Sequence, residues 1–292
     1  MLISVLFFGL NIPVIKELTT KWMDGYDATF FRIVGATFLF WIVSFFMKHK
    51  TIDKSDRLII LLSGMVGLFL FIMLFNLSLQ YGSPVDVSII MTTPPVMVVI
   101  ISSILYKSKI SLLKAFGLML SIGGAIMLIL IGGHHQGSDR SMTGNILAIL
   151  SALCYAFYII SLKNVSTKYH PVTLLRWVFL AACVGAIPFG LFHLEHAPIM
   201  HNADTSAILM LIFIIVFPTF LSYLFIPPAI KFIGHELVSM YQYLIPVIAT
   251  TIAVITKMDK LYWDQPVAVV IILLGVYISS KAVKKEQKEM KP

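Results

Sequence analysis

The sequence predicts an all-α membrane protein of ten transmembrane helices, arranged as two inverted repeats of five helices each. Apolar residues make up 59% of the 292 residues and charged residues only 12%, whereas a soluble domain is about half apolar and about a quarter charged. Apolar stretches of about 20 residues, the length that crosses the hydrocarbon layer, recur along the chain. Lysine and arginine are concentrated in alternate links between these stretches. Together these observations predict a polytopic membrane protein with a fixed orientation.

The predicted spans are separated by short links that are polar or contain proline or glycine. The spans lack the alternation of apolar and polar residues that transmembrane barrel strands show, so helices are favoured. The ten predicted spans are residues 2–18, 28–47, 57–79, 85–106, 111–131, 143–163, 172–192, 207–229, 235–256 and 264–283.

The positions of the charged residues are more informative than the net charge of +8. Fifteen of the 22 lysines and arginines lie in the second, fourth, sixth and eighth links and in the C-terminal tail. Positive residues favour the cytoplasmic side, so we expect a multi-pass protein of the plasma (inner) membrane with both termini in the cytoplasm. The expected partners are the lipid bilayer and a small-molecule substrate. Neither a nucleic acid nor an obligate protein partner is expected.

The two halves of the chain resemble each other. Shifting the sequence by 151 positions aligns residues 81–124 with 232–275 without a gap, and identical pairs include Ser88/Ser239 and Pro95/Pro246. We therefore predict a first repeat over residues 1–132, a connecting loop over 133–142, a second repeat over 143–283 and a basic cytoplasmic tail over 284–292. Because five is odd, the second repeat enters the membrane in the opposite direction. Inverted repeats of this kind are typical of alternating-access transporters.

Several local motifs carry a family resemblance that extends over all ten spans. They are Phe8-Gly9-Leu10-Asn11 followed by Lys16, Phe31-Arg32, the Ser88-to-Pro95 stretch, Gly123-Gly124, and the second-half positions Arg176, Ser239, Pro246 and Gly275. With these motifs the chain resembles the EamA family of the drug/metabolite transporter superfamily, which more often has Trp-Gly in the first motif. The resemblance implies a monomeric or loosely associated carrier of small metabolites, often an exporter, with a central cavity between its halves.

Ser88 and Thr92 are the first candidates for substrate binding. They are four residues apart and share a helical face, and Pro94-Pro95 follows them. Their repeat counterparts are Ser239 and Tyr243. Proline bends a helix and frees backbone carbonyls, which are tolerated at membrane depth against protein or a wet cavity. The alternative is that these hydroxyls bond the carbonyls of their own helices or neighbouring helices.

Other polar side chains on apolar spans are further candidates for substrate binding. They are Asn11, Asn76, Tyr155, Tyr158, Tyr223 and Gln242. Amides and aromatic hydroxyls suit a small amphipathic solute, because ligand sites are largely apolar with a few placed polar groups. For the tyrosines the alternative is packing or anchoring at the membrane interface.

Arg32 and Arg176 occupy corresponding positions near the ends of the second and seventh spans. They are candidates for gating the two mouths of a cavity or for attracting an anionic group. The competing interpretation is structural: Arg32 would pair with Asp86, and Arg176 with Glu236.

The distribution of ionisable residues limits the class of solute that the protein is expected to transport. None of the 14 acidic residues lies in the middle of a predicted span, which disfavours the proton-coupled export of lipophilic cations that small multidrug-resistance relatives perform with a deep glutamate. Basic residues lie near the span ends, whereas a buried phosphate needs paired cationic donors. A neutral or zwitterionic metabolite, such as an amino acid, remains by elimination.

The sequence offers little sign of other chemistry. His134 and His135 lie in a polar link and lack an accompanying set of ligands, so no metal site is expected. No hydrolase, zinc-protease or nucleotide-binding motif is present, and we expect neither a cofactor, catalytic residues nor enzymatic activity. The alternative functions are a non-transporting membrane scaffold or an intramembrane enzyme.

Overall fold

The structure is a computed structural model that describes residues 1–47, 51–105, 111–135, 139–194, 197–258 and 263–289. Within these ranges the chain is almost entirely helical and contains no strand. The α-helices are α1 (Leu2–Lys21), α2 (Gly25–Phe45), α3 (Arg57–Leu62), α4 (Phe71–Tyr81), α5 (Pro84–Ile90), α6 (Pro94–Leu105), α7 (Leu112–His135), α8 (Asp139–Val165), α9 (Pro171–His193), α10 (Pro198–Asn202), α11 (Thr205–Ile215), α12 (Ser222–Met240), α13 (Leu244–Ile255) and α14 (Asp264–Glu289).

Seven helical segments of the described chain are long and apolar enough to cross a membrane. They are Leu2–Lys21, Gly25–Phe45, Lys54–Tyr81, Pro84–Leu105, Met142–Lys163, Pro171–Gly190 and Thr205–His235. Three shorter apolar segments, Ala115–Gly124, Leu244–Ile255 and Pro266–Ser279, fall within the remaining predicted spans. The all-helical membrane fold is thus confirmed, while the ten-span inverted arrangement stays a prediction.

Side-chain caps fix where several of these helices begin. Asp24 and Asp27 form a reciprocal capping box at the start of α2. The Ser83 hydroxyl accepts hydrogen bonds from two backbone N–H groups at the start of α5, whose first residue is Pro84. Asp204 accepts one from the Ala207 N–H at the start of α11. These side chains satisfy donors that the first helical turn would otherwise leave unpaired.

Two segments of the described chain are π-helical, Ser63–Leu70 between α3 and α4 and Val216–Leu221 between α11 and α12. Shifting the first by 151 residues gives 214–221, which overlaps the second. Two interruptions correspond in the same way: Met91–Thr93 separates α5 from α6, and the 3₁₀ turn Tyr241–Tyr243 precedes α13. The offset found in the sequence therefore also relates local departures from α-helical geometry.

Helices from the two halves of the chain pack directly against each other. Trp41 contacts Trp177, while Phe30 near the other end of α2 lies against Gly190, so α2 and α9 are antiparallel. Gly117 faces Gly275, and the Ser121 hydroxyl donates a 3.2 Å hydrogen bond to the Ile272 carbonyl. As residue numbers rise along α7 they fall along α14, so these two helices are antiparallel as well.

Lys16, near the C-terminal end of α1, is accommodated by backbone carbonyls. Its Nζ donates 2.8 Å hydrogen bonds to the carbonyls of Leu79 and Gly82. These carbonyls lie at the C-terminal end of α4, where the helix dipole favours a positive charge. The contact fixes the ends of α1 and α4 to each other and explains how a lysine is accommodated within the membrane-spanning segment Leu2–Lys21.

Candidate functional site

A narrow cavity lies where helices from both halves converge. Its walls come from α1, α2, α4, α8, α12, α13 and the two interruptions before α6 and α13. The lining residues are Phe8, Asn11, Ile12, Arg32, Phe71, Phe75, Met91, Tyr155, Tyr223, Gln242 and Ile245. The cavity volume is about 30 Å³, which accommodates about one water molecule. A metabolite can enter only if these helices move apart.

Met91 and Gln242 enter the cavity wall from interrupted helices. Met91 follows α5 in the Met91–Thr93 interruption, and Gln242 is the central residue of the 3₁₀ turn Tyr241–Tyr243. The two positions are separated by 151 residues, the offset that aligns the two halves. Interrupted helices are typical of transporter binding sites, where unwound backbone lines a cavity.

Arg32 brings a charge to the cavity wall, and among the described lining residues it is the one ionised at neutral pH. Its side chain is buried, with 2% exposure. Its Nε donates a 3.0 Å hydrogen bond to the Thr219 hydroxyl, and its Nη1 donates a 2.9 Å hydrogen bond to Oδ1 of Asn76. The Asn76 amide in turn donates to the Thr29 hydroxyl at 3.0 Å. These partners orient the guanidinium, but all of them are neutral.

The π-helical segment explains how Thr219 reaches Arg32. The Thr219 hydroxyl donates a 2.6 Å hydrogen bond to the Ile214 carbonyl, five residues earlier. The same hydroxyl accepts the hydrogen bond from Arg32 Nε. The wider turn of a π-helix leaves carbonyls such as this one open to side chains, and π-segments often occur at functional sites.

Three buried tyrosines form an aromatic cluster beside Arg32. The rings of Tyr155 and Tyr158 are 6.0 Å apart and those of Tyr158 and Tyr223 are 5.7 Å apart. Tyr155 and Tyr223 line the cavity, whereas Tyr158 does not. The hydroxyl of Tyr223 has no hydrogen-bond partner among the described residues. It is thus a polar group at the cavity wall that can bond a solute.

Asn11 also brings polar atoms to the cavity. It is 2% exposed, and its Oδ1 accepts no hydrogen bond within the described ranges. A buried acceptor without a donor is unfavourable by about 1–3 kcal/mol, so such a group is typical of a site that a ligand completes.

Ser88 lies before the interruption and Thr92 lies within it; both are buried, but neither is in the cavity wall. The Ser88 hydroxyl donates to the Val85 carbonyl at 2.7 Å, and the Thr92 hydroxyl donates to the Ile89 carbonyl at 2.7 Å. These are the hydrogen bonds to nearby backbone carbonyls that the alternative to substrate binding predicts. Ser88 Oγ also lies 3.4 Å from Thr250 Oγ1 on α13, a contact between the two halves.

The remaining candidates lie elsewhere in the fold. The two described hydrogen bonds of Arg32 go to Asn76 and Thr219, while Asp86 is buried in the first turn of α5. Arg176 donates a 2.7 Å hydrogen bond to the Ser44 hydroxyl, away from the cavity. The side chains of Glu236, Ser239 and Tyr243 lie outside the part of the chain that the structure describes.

Most of the cavity wall carries no recognisable signal in the sequence. Phe71, Phe75 and Met91 are apolar residues among many, and membrane helices present such residues to lipid and to protein alike. Thr219 was also missed as a partner of Arg32. Its position directly after Pro218, within a span, was the available signal, because proline disturbs helical hydrogen bonding.

Among the described residues no group of three or more His, Cys, Asp or Glu side chains comes together. The cavity offers one guanidinium, two amides and two phenols in a mostly apolar wall. Such a set binds and orients a small amphipathic molecule.

The all-helical fold, with its membrane-spanning segments and central cavity, is that of an integral membrane protein. The chain belongs to the EamA-like transporter family, whose family model matches residues 1–130 and again residues 142–281. The resemblance noted in the sequence is thereby confirmed.

Similar proteins agree with this assignment. An uncharacterized transporter of Archaeoglobus fulgidus is 24% identical over 268 residues, which cover 90% of each chain. The uncharacterized transporter YyaM of Bacillus subtilis is 25% identical over 240 residues, covering 82% of this chain and 77% of YyaM. A protein of known crystal structure matches 96% of this chain and 97% of its own with a TM-score of 0.62. At 15% identity this last match indicates a shared fold alone.

Proposed function

We propose that the protein is a secondary transporter that exports a small neutral or zwitterionic metabolite, such as an amino acid, by alternating access. The observation that carries the proposal is the buried guanidinium of Arg32 in a cavity built at two corresponding helix interruptions. The solute would be moved without chemical conversion.

The carboxylate follows from the hydrogen bonding of Arg32. A guanidinium has five N–H donors, and the described structure uses two of them, on neutral partners. A buried cation without a counter-ion is strongly unfavourable, whereas a carboxylate can accept two parallel hydrogen bonds from the guanidinium. We therefore assign the carboxylate of the solute to Arg32. Aromatic walls and the acceptors at Asn11 and Tyr223 suit the rest of an amino acid.

Alternating access is supported by two equivalent aromatic contacts between the halves of the chain. Phe8 on α1 contacts Tyr223 on α12, and Phe71 on α4 contacts Tyr155 on α8. If α1 corresponds to α8 and α4 to α12, these two contacts are the same contact in inverted repeats. The antiparallel pair α7 and α14 agrees with a ten-helix arrangement of five plus five. Rocking one half against the other would open the cavity to each side in turn.

The orientation is proposed from the charge distribution. Fifteen of 22 lysines and arginines lie on the side assigned to the cytoplasm, so both termini would lie inside a cell whose plasma membrane holds the protein. Proteolysis of the basic tail should therefore require access from the cytoplasmic face. Cleavage in intact cells, from outside, would contradict this orientation.

The proposal is tested by solute counterflow with the purified full-length chain in proteoliposomes. We expect saturable exchange of one or more amino acids. If leucine is among them, leucinamide should not be exchanged, because it lacks the carboxylate. Arg32→Gln should abolish exchange, because glutamine is neutral. Lys231→Gln removes an exposed charge outside the cavity and is the matched control. Imposing a pH gradient then shows whether protons are coupled.

Each other result argues against a defined part of the proposal. Equal exchange of the acid and its amide would overturn the role of Arg32. Absence of exchange across a broad panel, with folded protein, would favour a non-transporting scaffold or an intramembrane enzyme. Uptake that dominates over efflux in cells would contradict export.

A further inference from the structure

A second, larger concave site lies on the side of the molecule, between α3 and α9 and the segment that precedes α3. Its volume is about 610 Å³, within the range of roughly 300–1,000 Å³ that small-molecule sites occupy. We call it the lateral groove. Its walls are mainly Ile60, Leu61, Leu180, Ala181 and Val184. None of these residues belongs to the central cavity.

Basic side chains lie at one end of this apolar groove. Arg57, the first residue of α3, and Arg176, in the second turn of α9, both line it. This end of both helices belongs to the side that the charge distribution assigns to the cytoplasm. The groove is therefore amphipathic, with cations at the expected membrane surface and an apolar channel toward the hydrocarbon layer.

Arg176 is held in place by its neighbours. Its guanidinium carbon lies 5.4 Å from the centroid of Trp41 and 5.5 Å from that of Trp177. The Ser44 hydroxyl accepts a 2.7 Å hydrogen bond from Nη1. The buried Nε has no hydrogen-bond partner in the part of the chain that the structure describes. Two tryptophans and a serine thus orient a guanidinium that retains unused donors.

The acidic group next to Arg57 is neutralised by other residues. Both carboxylate oxygens of Asp56 accept 3.0 Å hydrogen bonds from Lys168 Nζ. The Tyr169 hydroxyl donates a further one at 2.7 Å. Burial raises the pKa of Tyr169 to about 12, so this hydroxyl stays protonated and keeps donating at neutral pH. The positive charges of Arg57 and Arg176 are therefore not consumed by Asp56.

We propose that the lateral groove binds one anionic phospholipid, with its phosphate on Arg176 and Arg57 and an acyl chain along Leu180, Ala181 and Val184. Arginine suits this role because its planar donors match phosphate oxygens, and basic pockets between membrane helices at the cytoplasmic surface bind anionic headgroups. The groove thus offers cations for the headgroup and an apolar wall for the acyl chain of one lipid. This site is independent of the solute that the central cavity accepts.

Native mass spectrometry of the full-length chain, purified in detergent with equal amounts of phosphatidylglycerol and phosphatidylcholine, tests the proposal. We expect one phosphatidylglycerol to be retained preferentially. Arg176→Gln and Arg57→Gln should each lower this preference about fivefold, because a basic residue near anionic lipid contributes about 1 kcal/mol. Lys231→Gln, which removes an exposed charge elsewhere, should leave the preference unchanged.

Two further measurements distinguish a lipid seated in the groove from a free anion held by the arginines. Val184→Trp should reduce lipid retention without changing any charge, because the larger side chain fills the apolar channel. Val184 is 62% exposed, so the indole can be accommodated without disturbing the core of the protein. Inorganic phosphate at millimolar concentration should fail to displace the lipid.

Several results would overturn the assignment. One is an unchanged lipid ratio in both arginine variants, and another is an equal loss in Lys231→Gln, which would indicate diffuse attraction. Displacement by phosphate alone would indicate an anion site without a lipid. If Arg176→Gln does not fold, the exposed positions Arg57 and Val184 decide the outcome.

Discussion

At the scale of single residues, Arg32 is a charged side chain buried among neutral neighbours, an environment that is unfavourable to an ion. It is a buried residue of α2, and its described partners, Asn76 on α4 and Thr219 in the π-segment before α12, carry no charge. Neutral hydrogen bonds orient a guanidinium but only partly replace its hydration. A position with this arrangement is suited to an anionic ligand that supplies the missing charge when it binds.

The Tyr223 hydroxyl gives a residue-scale prediction. Tyr223→Phe should raise the KM for the transported solute several-fold, because the hydroxyl lines the cavity and has no protein partner within the described chain. Stability should change by less than about 1 kcal/mol, since no hydrogen bond within the protein is lost. Counterflow kinetics and thermal unfolding measure the two effects.

Tyr158→Phe is the matched control for this substitution. Its ring lies 5.7 Å from that of Tyr223 and its hydroxyl is equally buried, but it does not line the cavity. We expect its KM to match that of the wild-type protein. A similar increase in both variants would show that ring packing, rather than contact with the solute, sets the KM.

At the scale of helices, glycine permits the close crossing of α7 and α14. A Cβ at Gly117 would lie 2.6 Å from the backbone nitrogen of Ser279, whereas a Cβ at Gly123 would meet nothing within 4 Å. Small residues at such crossings allow the backbones of membrane helices to approach each other. The two glycines therefore have different roles although they lie on the same helix.

We predict that Gly117→Ala lowers the free energy of unfolding by about 1–3 kcal/mol, because the helices must separate to admit the methyl group. Gly123→Ala should be neutral or stabilise by up to about 1 kcal/mol, because alanine favours the helix and meets no neighbour. Thermal or denaturant unfolding in detergent compares the two variants. Equal effects would mean that α7 and α14 do not cross at Gly117.

Tyr169 ties the segment before α3 to the link between α8 and α9. Its hydroxyl donates to Asp56 and accepts a 3.1 Å hydrogen bond from the Asp53 N–H. Burial raises its pKa to about 12, and the bond to Asp56 acts in the same direction. Because the folded pKa lies above the ordinary value of about 10, the stabilisation is fully present below pH 10 and is lost as pH rises through about 12.

Tyr169→Phe should therefore lower the free energy of unfolding by about 1 kcal/mol, and by the same amount at pH 6 and pH 9. Above pH 10 the difference from the wild-type protein should shrink. Unfolding followed across this range measures both effects, with the exposed Tyr277→Phe as a control that should change nothing. A difference that varied between pH 6 and 9 would contradict the assigned pKa.

At the scale of the whole molecule, hydropathy and charge were sufficient to predict a helical membrane fold and the positions of its apolar segments. The polar candidates Asn11, Arg32, Tyr155, Tyr223 and Gln242 also proved to line the cavity. Polar residues in apolar spans are few, and burial against protein is their usual location.

The π-segments, the Arg32 partners and the aromatic wall could not be predicted in this way. They depend on which helices meet, and an apolar side chain that faces lipid has the same character in the sequence as one that faces a cavity. Ser88 and Thr92 illustrate the converse: both are polar and lie before or within the interruption, yet their hydroxyls donate to carbonyls of α5. The 151-residue offset between the halves located the interruption, but it did not indicate where these side chains point.

The small volume of the cavity leads to a prediction about motion. Because about 30 Å³ is too small for a metabolite, the proposed alternating access requires contacts between the halves to break during each transport cycle. The Ser88 and Thr250 oxygens, 3.4 Å apart on α5 and α13, form such a contact. In a background with Cys154 and Cys183 replaced by alanine, Ser88→Cys with Thr250→Cys should form a disulfide on oxidation.

Counterflow by this double-cysteine protein should stop on oxidation and return after reduction, because the disulfide prevents α5 and α13 from separating. Each single-cysteine variant should remain active under the same oxidant, which controls for oxidation elsewhere and for the substitutions themselves. Sustained counterflow by fully cross-linked protein would mean that the halves move without opening this contact. The cavity would then have to open through another pair of helices, such as α1 and α12, where Phe8 meets Tyr223.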